Sequence, residues 1–534
     1  MESGTLTTEA LITVRMEELV DRRTPWHRSL WQVGTLLALR EVVEYADGVR
    51  SGVMRPEGIE YVCASALRAV CRDRGIADSP AKVRVTEVLE LGSKKEGVTK
   101  REVSDSLAQY VRRFERDYLR SWATALTAGE VVATDGELTA RAVVGHLLDA
   151  GFSADHLHGW LLKSRDAETS LVELLEKADE MFGRPTVNYN VLVPFSRLPP
   201  EVARDAGERF LTWPMMAEWL RTEGYPKVPA SIREGTGALI FAVAAREPKA
   251  AIEAAEADLR RLRARVGVGL FSKDAVPADM ALVYPASRPK WLPLRPWQKD
   301  FLVSSIVRHD LLVPAVASVG ASALDDAFEL LAAVQMTPSG ASVATLWAAV
   351  EGLLARGNET GVIAADRLAA IVAGGFVRAE LTQLAERLAT DEGEHGDLMR
   401  SLESTRRLDA LVDLIVEDGN IKWEAADIAA ISRVRQIVDA PAEVMGRMRG
   451  YFCDAFRRLY TQRNLLLHGG RFNSVVLSAT MRTVPPLVAA GIDRLVHGEM
   501  QKPRTDPFSL AARAENELGM LGAPGARAFH RLLD

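Results

Sequence analysis

Apolar residues recur at three- and four-residue intervals along most of this chain and gather into strand-like runs in only one stretch. Over the first 125 residues the spacing predicts helices at 30–49 and 53–72, then an element at 81–91 that fits helix or strand. Thr99, with Glu102 three positions on, forms a capping box for a further helix running to about residue 126. Shorter helices are expected at 139–150, 153–164 and 170–181. The character then changes. The runs at 187–195 (VNYNVLVPF), 237–245 (GALIFAVAA) and 280–285 (MALVYP) have strand composition, with helices expected between them at 200–221 and 249–266. Strand, helix, strand, helix, strand predicts a small α+β layer of ferredoxin-like arrangement. The proline-rich 286–296 (ASRPKWLPLRP) reads as a linker. Helical spacing then returns, in segments at 297–313, 321–335, 342–355, 360–372, 379–388, 395–417, 423–431, 440–467 and 474–496. After a second linker at 501–507, a short helix at 510–518 is expected to dock back. The expected fold is mainly α: a helical N-terminal region (1–185), a small central α+β module with its linker (186–296), a helical bundle (297–500) and a tail (501–534).

A chain of 534 residues is too long for one ordinary core, so two to four domains are expected. A hydrophobic content of 48% suits packed domains rather than disorder. The net charge of -6 leaves no global basic field, so a nucleic-acid site has to be a local patch. The most basic stretch is the loop with Lys94, Lys95, Lys100 and Arg101 and the helix after it with Arg112 and Arg116. Glu102, Asp105, Glu115 and Asp117 interleave there, so a solvated helix face competes with nucleic-acid binding. Cys63, Cys71 and Cys453 are scattered without CxxC spacing, which points to a reducing compartment and away from a disulfide framework or zinc site. No signal peptide and no apolar run long enough to span a membrane is read, so a cytoplasmic protein without a membrane partner is expected.

Phosphate-loop, HExxH and GxSxG motifs are absent, as is any repeat of solenoid period. His156 and His158 diverge by about 200° on a helix, and Arg141 and His146 sit in an Ala/Val-rich one; all four are expected to be structural.

The candidate chemistry lies in Tyr460-Thr461-Gln462-Arg463-Asn464-Leu465-Leu466-Leu467-His468-Gly469-Gly470, which follows Phe452, Phe456 and Leu459 at helical spacing. A histidine passes protons near neutral pH, and an arginine holds a phosphate through two parallel hydrogen bonds. Together they suit RNA cleavage without a metal, with Asn464 orienting either group. Asn464 and His468 share a helix face, whereas Arg463 and His468 lie about 140° apart. The competing interpretation is a structural arginine and a C-terminal histidine favoured by the helix dipole, with Gly469 as the stop.

The stretch resembles the Arg-polar-…-His signature of the HEPN superfamily, in the form of an ApeA-like HEPN ribonuclease domain. Leu346-Trp347-Ala348-Ala349-Val350-Glu351-Gly352-Leu353-Leu354 resembles an earlier Leu-Trp-x-x-x-Glu-x-Leu segment of that family. The resemblance covers about residues 325–500 and none of the first 300. It implies a HEPN-like bundle and a metal-independent endoribonuclease without cofactor, with Arg463, Asn464 and His468 as the site and Glu351 and Tyr460 in support. It also implies a homodimer in which two copies of the motif meet, RNA as substrate, and a setting in phage defence or a toxin-like response, with a regulatory protein or phage trigger. The rival expectation is a non-catalytic bundle that binds RNA, a nucleotide or a protein.

Overall fold

The computed structural model describes residues 8–93, 100–129, 136–270, 274–285, 289–294, 301–312, 323–336, 340–417, 421, 423–470 and 473–534. Among them are 21 α-helices and six β-strands, so the protein is mainly α with one small α+β module. The chain forms two compact units. One contains Leu147–Ser164 and Lys177–Lys299; the other contains Met1–His146, Arg165–Glu176 and Asp300–Asp534.

The smaller unit is built on an antiparallel sheet: β1 (Val187–Arg197), β2 (Phe210–Thr212), β3 (Gly237–Ala245), β4 (Val276–Pro277), β5 (Met280–Tyr284) and β6 (Lys290–Pro293). Its order is β2-β3-β1-β5-β6, with β4 beside β1. The first four of these follow the ferredoxin-like order, extended by β6 at the edge. Alternation sends Val191, Val193 and Phe195 of the central strand to one face, against Ala251, Ala255 and Leu259 of the Pro248–Gly269 helix. Leu192 and Leu282 go to the other face, with Met216 and Leu220 of the Trp213–Thr222 helix.

Two local expectations fail here. The helix expected at 200–221 is broken: Gly207, at φ 56, ends Pro200–Ala206, and Phe210–Thr212 pairs with β3 before Thr212 caps the next helix. Part of the expected 286–296 linker is strand β6, whose one proline, Pro293, is tolerated because the strand lies on the edge.

The larger unit joins the first helices to the C-terminal half in one core. Trp31 packs edge-on against Phe376 and Phe452, at 5.4 and 5.6 Å between ring centres. Two long helices form its centre, Gly361–Leu388 and Pro441–Gly469. The first spans two expected helices, 360–372 and 379–388. The Gly374-Gly375 pair between them is not a break but a place where Leu533 and Arg494 lie close to the helix. The tail docks through the Pro507–Met520 helix, which buries Leu510, Ala511 and Ala514 in this core. The expected helix at 297–313 shrinks, within the described 301–312, to Ser305–Arg308. There Phe301 and Val303 enter the core by alternation, and Asp493 accepts from the Ser305 N–H at 2.7 Å.

Candidate active site

The candidate residues lie near the end of the Pro441–Gly469 helix. Pro441 stands at its first turn, where a missing N–H costs nothing. Met448, Phe452, Ala455, Leu459, Gln462 and Leu466 are spaced four and three apart and form its buried stripe. Gly470 closes it at φ 59 and ψ 18, with its N–H bonded to the Leu465 carbonyl. Arg463 and Asn464 flank the stripe and are half-buried, and His468 in the last turn is exposed. The helix runs regularly through the whole motif, so within one chain Arg463 and His468 remain about 140° apart.

Glu351 reaches this helix from its neighbour, Gly340–Leu354. That helix buries Leu346, Trp347, Val350 and Leu353 and leaves Glu351 at the boundary with solvent. The two helices are registered by Trp347 and Tyr460, 5.1 Å between ring centres. Gly361 makes this contact possible: a Cβ there would stand 2.4 Å from Tyr460 and 2.9 Å from Trp347. The Arg463 guanidinium lies 3.8 Å from the Glu351 carboxylate, beyond hydrogen-bond length, and donates to Asn464 Oδ1 at 3.1 Å. One arginine thus has an acidic partner at arm's length, a neutral one in contact, and N–H groups to spare. His468 makes no hydrogen bond or ion pair among the described residues.

Below the motif, the same helix is held by carboxylates that sequence reasoning did not single out. Arg458 donates to both oxygens of Glu41, at 3.0 and 2.8 Å, and both side chains are buried. Arg457 grips Asp366 with two bonds, 2.8 and 2.7 Å, and lies over the Tyr61 ring at 4.3 Å. Asp454 accepts from Ser65 and Arg68. A hollow of about 60 Å³ opens between Tyr45, Tyr61, Arg457, Thr461 and Asn464. Glu41 left one sequence signal: it interrupts the apolar series Leu37, Glu41, Tyr45 at four-residue spacing. A carboxylate on a buried stripe calls for a cation.

The proposed basic patch is only partly described. Lys94 and Lys95 lie outside the described residues, as do the side chains of Lys100 and Arg101. Arg112 and Arg116 are exposed on the Lys100–Thr127 helix, opposite the buried Val111, Phe114 and Tyr118. No hydrogen bond or ion pair joins either arginine to the motif helix. Thr99, the expected cap, also lies outside the described residues.

Two of the histidines expected to be structural can be placed. His146 is buried against Tyr118, and His156 lies 3.6 Å from Glu247. No cluster of three metal-binding side chains occurs among the described residues, and no described helix is long and apolar enough to cross a membrane. The three cysteines are free thiols. Comparison of the chain with protein families, curated proteins and solved structures yields no match.

Proposed function

We propose that the chain is a metal-independent HEPN-type endoribonuclease, working in the cytoplasm as a homodimer, in phage defence or a toxin-like stress response. The observation that carries this reading is the group at the helix end. Arg463 lies between Glu351 and Asn464 with donors unspent, and a solvent-facing His468 follows Asn464 by one helical turn. In the reaction, a histidine takes the proton of an RNA 2′-hydroxyl as its oxygen forms a bond to the adjacent phosphorus. The bond from phosphorus to the 5′-oxygen breaks, and the leaving oxygen receives a proton. The products are a 2′,3′-cyclic phosphate and a 5′-hydroxyl. Arg463 neutralises charge on the phosphoryl oxygens, and Glu351 and Asn464 aim it. Two proton transfers require two acid–base groups, which a second copy of His468 supplies across a two-fold interface. The same interface brings Arg463 of one copy towards His468 of the other.

The alternative is a non-catalytic module that binds RNA, a nucleotide or a protein. The angle of about 140° between Arg463 and His468 favours it, because a single chain cannot set both on one phosphate. Labelled single-stranded RNA incubated in EDTA with wild type and with His468→Ala separates the two. Cleavage by wild type alone, leaving cyclic phosphate ends, is the expected result. Binding without cleavage, lost in Arg463→Ala, replaces the enzyme with the module.

A further inference from the structure

A second site lies on the same helix, near its start. A cleft of about 880 Å³ opens where residues 71–82 and 137–141 face the first turns of the Pro441–Gly469 helix. Its size is in the upper part of the range for small-molecule sites. From Met448, on its wall, to Arg463 is about 22 Å at the usual helical rise, so it is separate from the motif.

Six cationic side chains line the cleft against four carboxylates, in a chain whose net charge is -6. Three of the four carboxylates are already committed, and the fourth, Asp439, is exposed and forms no hydrogen bond or ion pair among the described residues. Glu137 takes bonds from Arg15, Arg141 and Arg433, Asp78 holds Lys82 at 2.9 Å, and Glu443 pairs with Arg447. Two of the cations form no ion pair among the described residues. Arg74 forms no hydrogen bond or ion pair among the described residues, and Arg72 bonds only the Tyr451 hydroxyl, at 3.1 Å. Deeper in the cleft, Arg141 is buried, with its guanidinium 3.8 Å above the Trp31 ring. Burial, with the neighbouring Arg15 and Arg433 charges, outweighs Glu137 and brings its pKa down to about 10. The opposite wall is apolar, with Ile437, Val444 and Met448 on the helix and its lead-in.

We propose that this cleft binds a small organic phosphate, with the phosphate held by Arg72, Arg74 and Arg141 and the organic part against Val444, Met448 and Tyr451. Arginine matches phosphate oxygens in pairs, and Arg72 and Arg74 form no ion pair among the described residues, while Arg141 keeps Glu137 as its partner. The apolar wall separates an organic phosphate from the inorganic ion. The inference does not depend on the ribonuclease reading, because it uses none of Glu351, Arg463, Asn464 and His468.

The test is calorimetric titration of the full chain with inorganic phosphate, ribose 5-phosphate, AMP and ATP. At least one organic phosphate is expected to bind with a Kd below about 1 mM, and more tightly than inorganic phosphate. Arg72→Glu combined with Arg74→Glu is expected to weaken that binding by about tenfold or more, with an unchanged circular dichroism spectrum. Arg72 is exposed and Arg74 half-buried, so neither belongs to the buried core. The proposal is overturned if no organic phosphate binds, if inorganic phosphate binds as tightly, or if the double variant binds like wild type. Binding lost in Arg463→Ala but kept in the double variant would assign the ligand to the motif instead.

Discussion

Arg458 and Arg463 stand five residues apart on one helix, and each faces a glutamate from another helix, but the two pairs are built differently. Arg458 and Glu41 are both buried, with two bonds of 3.0 and 2.8 Å between them. Arg463 and Glu351 are 3.8 Å apart at the edge of solvent, with Arg463 one-quarter and Glu351 two-fifths exposed. The first pair leaves little unsatisfied and is costly to disturb, which makes it a fastener between the N-terminal helices and the bundle. The second leaves most arginine donors open, which suits a group that has to accept a passing phosphate. Residue type and sequence neighbourhood are nearly the same; burial and bond length tell the two pairs apart.

If the contrast is right, substitutions at the two places affect different measurements. The largest effect is expected at the open end. His468→Ala should lower RNA cleavage by about 10² to 10⁴ in rate while leaving the melting temperature unchanged. Retained activity would remove His468 from the mechanism.

Next comes the closed pair. Arg458→Ala leaves Glu41 buried without its cation and should cost about 3–5 kcal/mol in denaturant unfolding. A loss under about 1 kcal/mol would show that the pair is not a fastener. Similar in kind is the buried network in which Glu380 meets Arg28 at 2.5 Å and Arg433 at 3.1 Å. Burial alone would raise the Glu380 carboxyl, but the Arg433, His27 and Arg28 charges prevail and hold it down at about 2, against an ordinary 4.5. A depressed carboxylate stabilises the fold above its unfolded value, and the stability is lost as pH falls through the folded one. This group should therefore contribute about 3 kcal/mol at neutral pH, declining as the pH falls from about 4.5 towards 2. The stability gap between wild type and Glu380→Gln should narrow over that window. A gap constant with pH would mean that the charge on Glu380 is not what stabilises.

The smallest effect on stability is expected at Arg463. Its long, partly exposed pair predicts that Arg463→Ala costs less than about 1 kcal/mol, yet abolishes RNA cleavage or binding. A large loss of stability there would make Arg463 a structural arginine like Arg458.

Helical and strand spacing was legible along most of the chain because it is local. The β3 run 237–245 coincides with its strand, and 440–467 with all but the ends of the motif helix. Failures arose where a distant partner decided. Phe210–Thr212 became a strand because β3 lay beside it, and Gly374-Gly375 stayed helical because Leu533 and Arg494 pack against that helix. The motif was legible as residue types in an order. Its support was not, since Glu41, Asp366 and Tyr61 come from positions 91 to 417 residues away in sequence, or from helices whose facing no spacing reveals.

By itself the sequence determined the class of the elements and where along the chain the strands fall, and it singled out the run from Tyr460 to Gly470 as a candidate. These follow from periodicity and side-chain chemistry, which act over one or two turns. Only the tertiary structure decided that Trp31 and Glu41 share a core with Phe452 and Arg458, that Glu351 stands beside Arg463, and that Arg72, Arg74 and Arg141 meet at one cleft. Burial and pairing between distant residues set those outcomes, because the cost of an unpaired buried charge is felt only once the chain has closed around it.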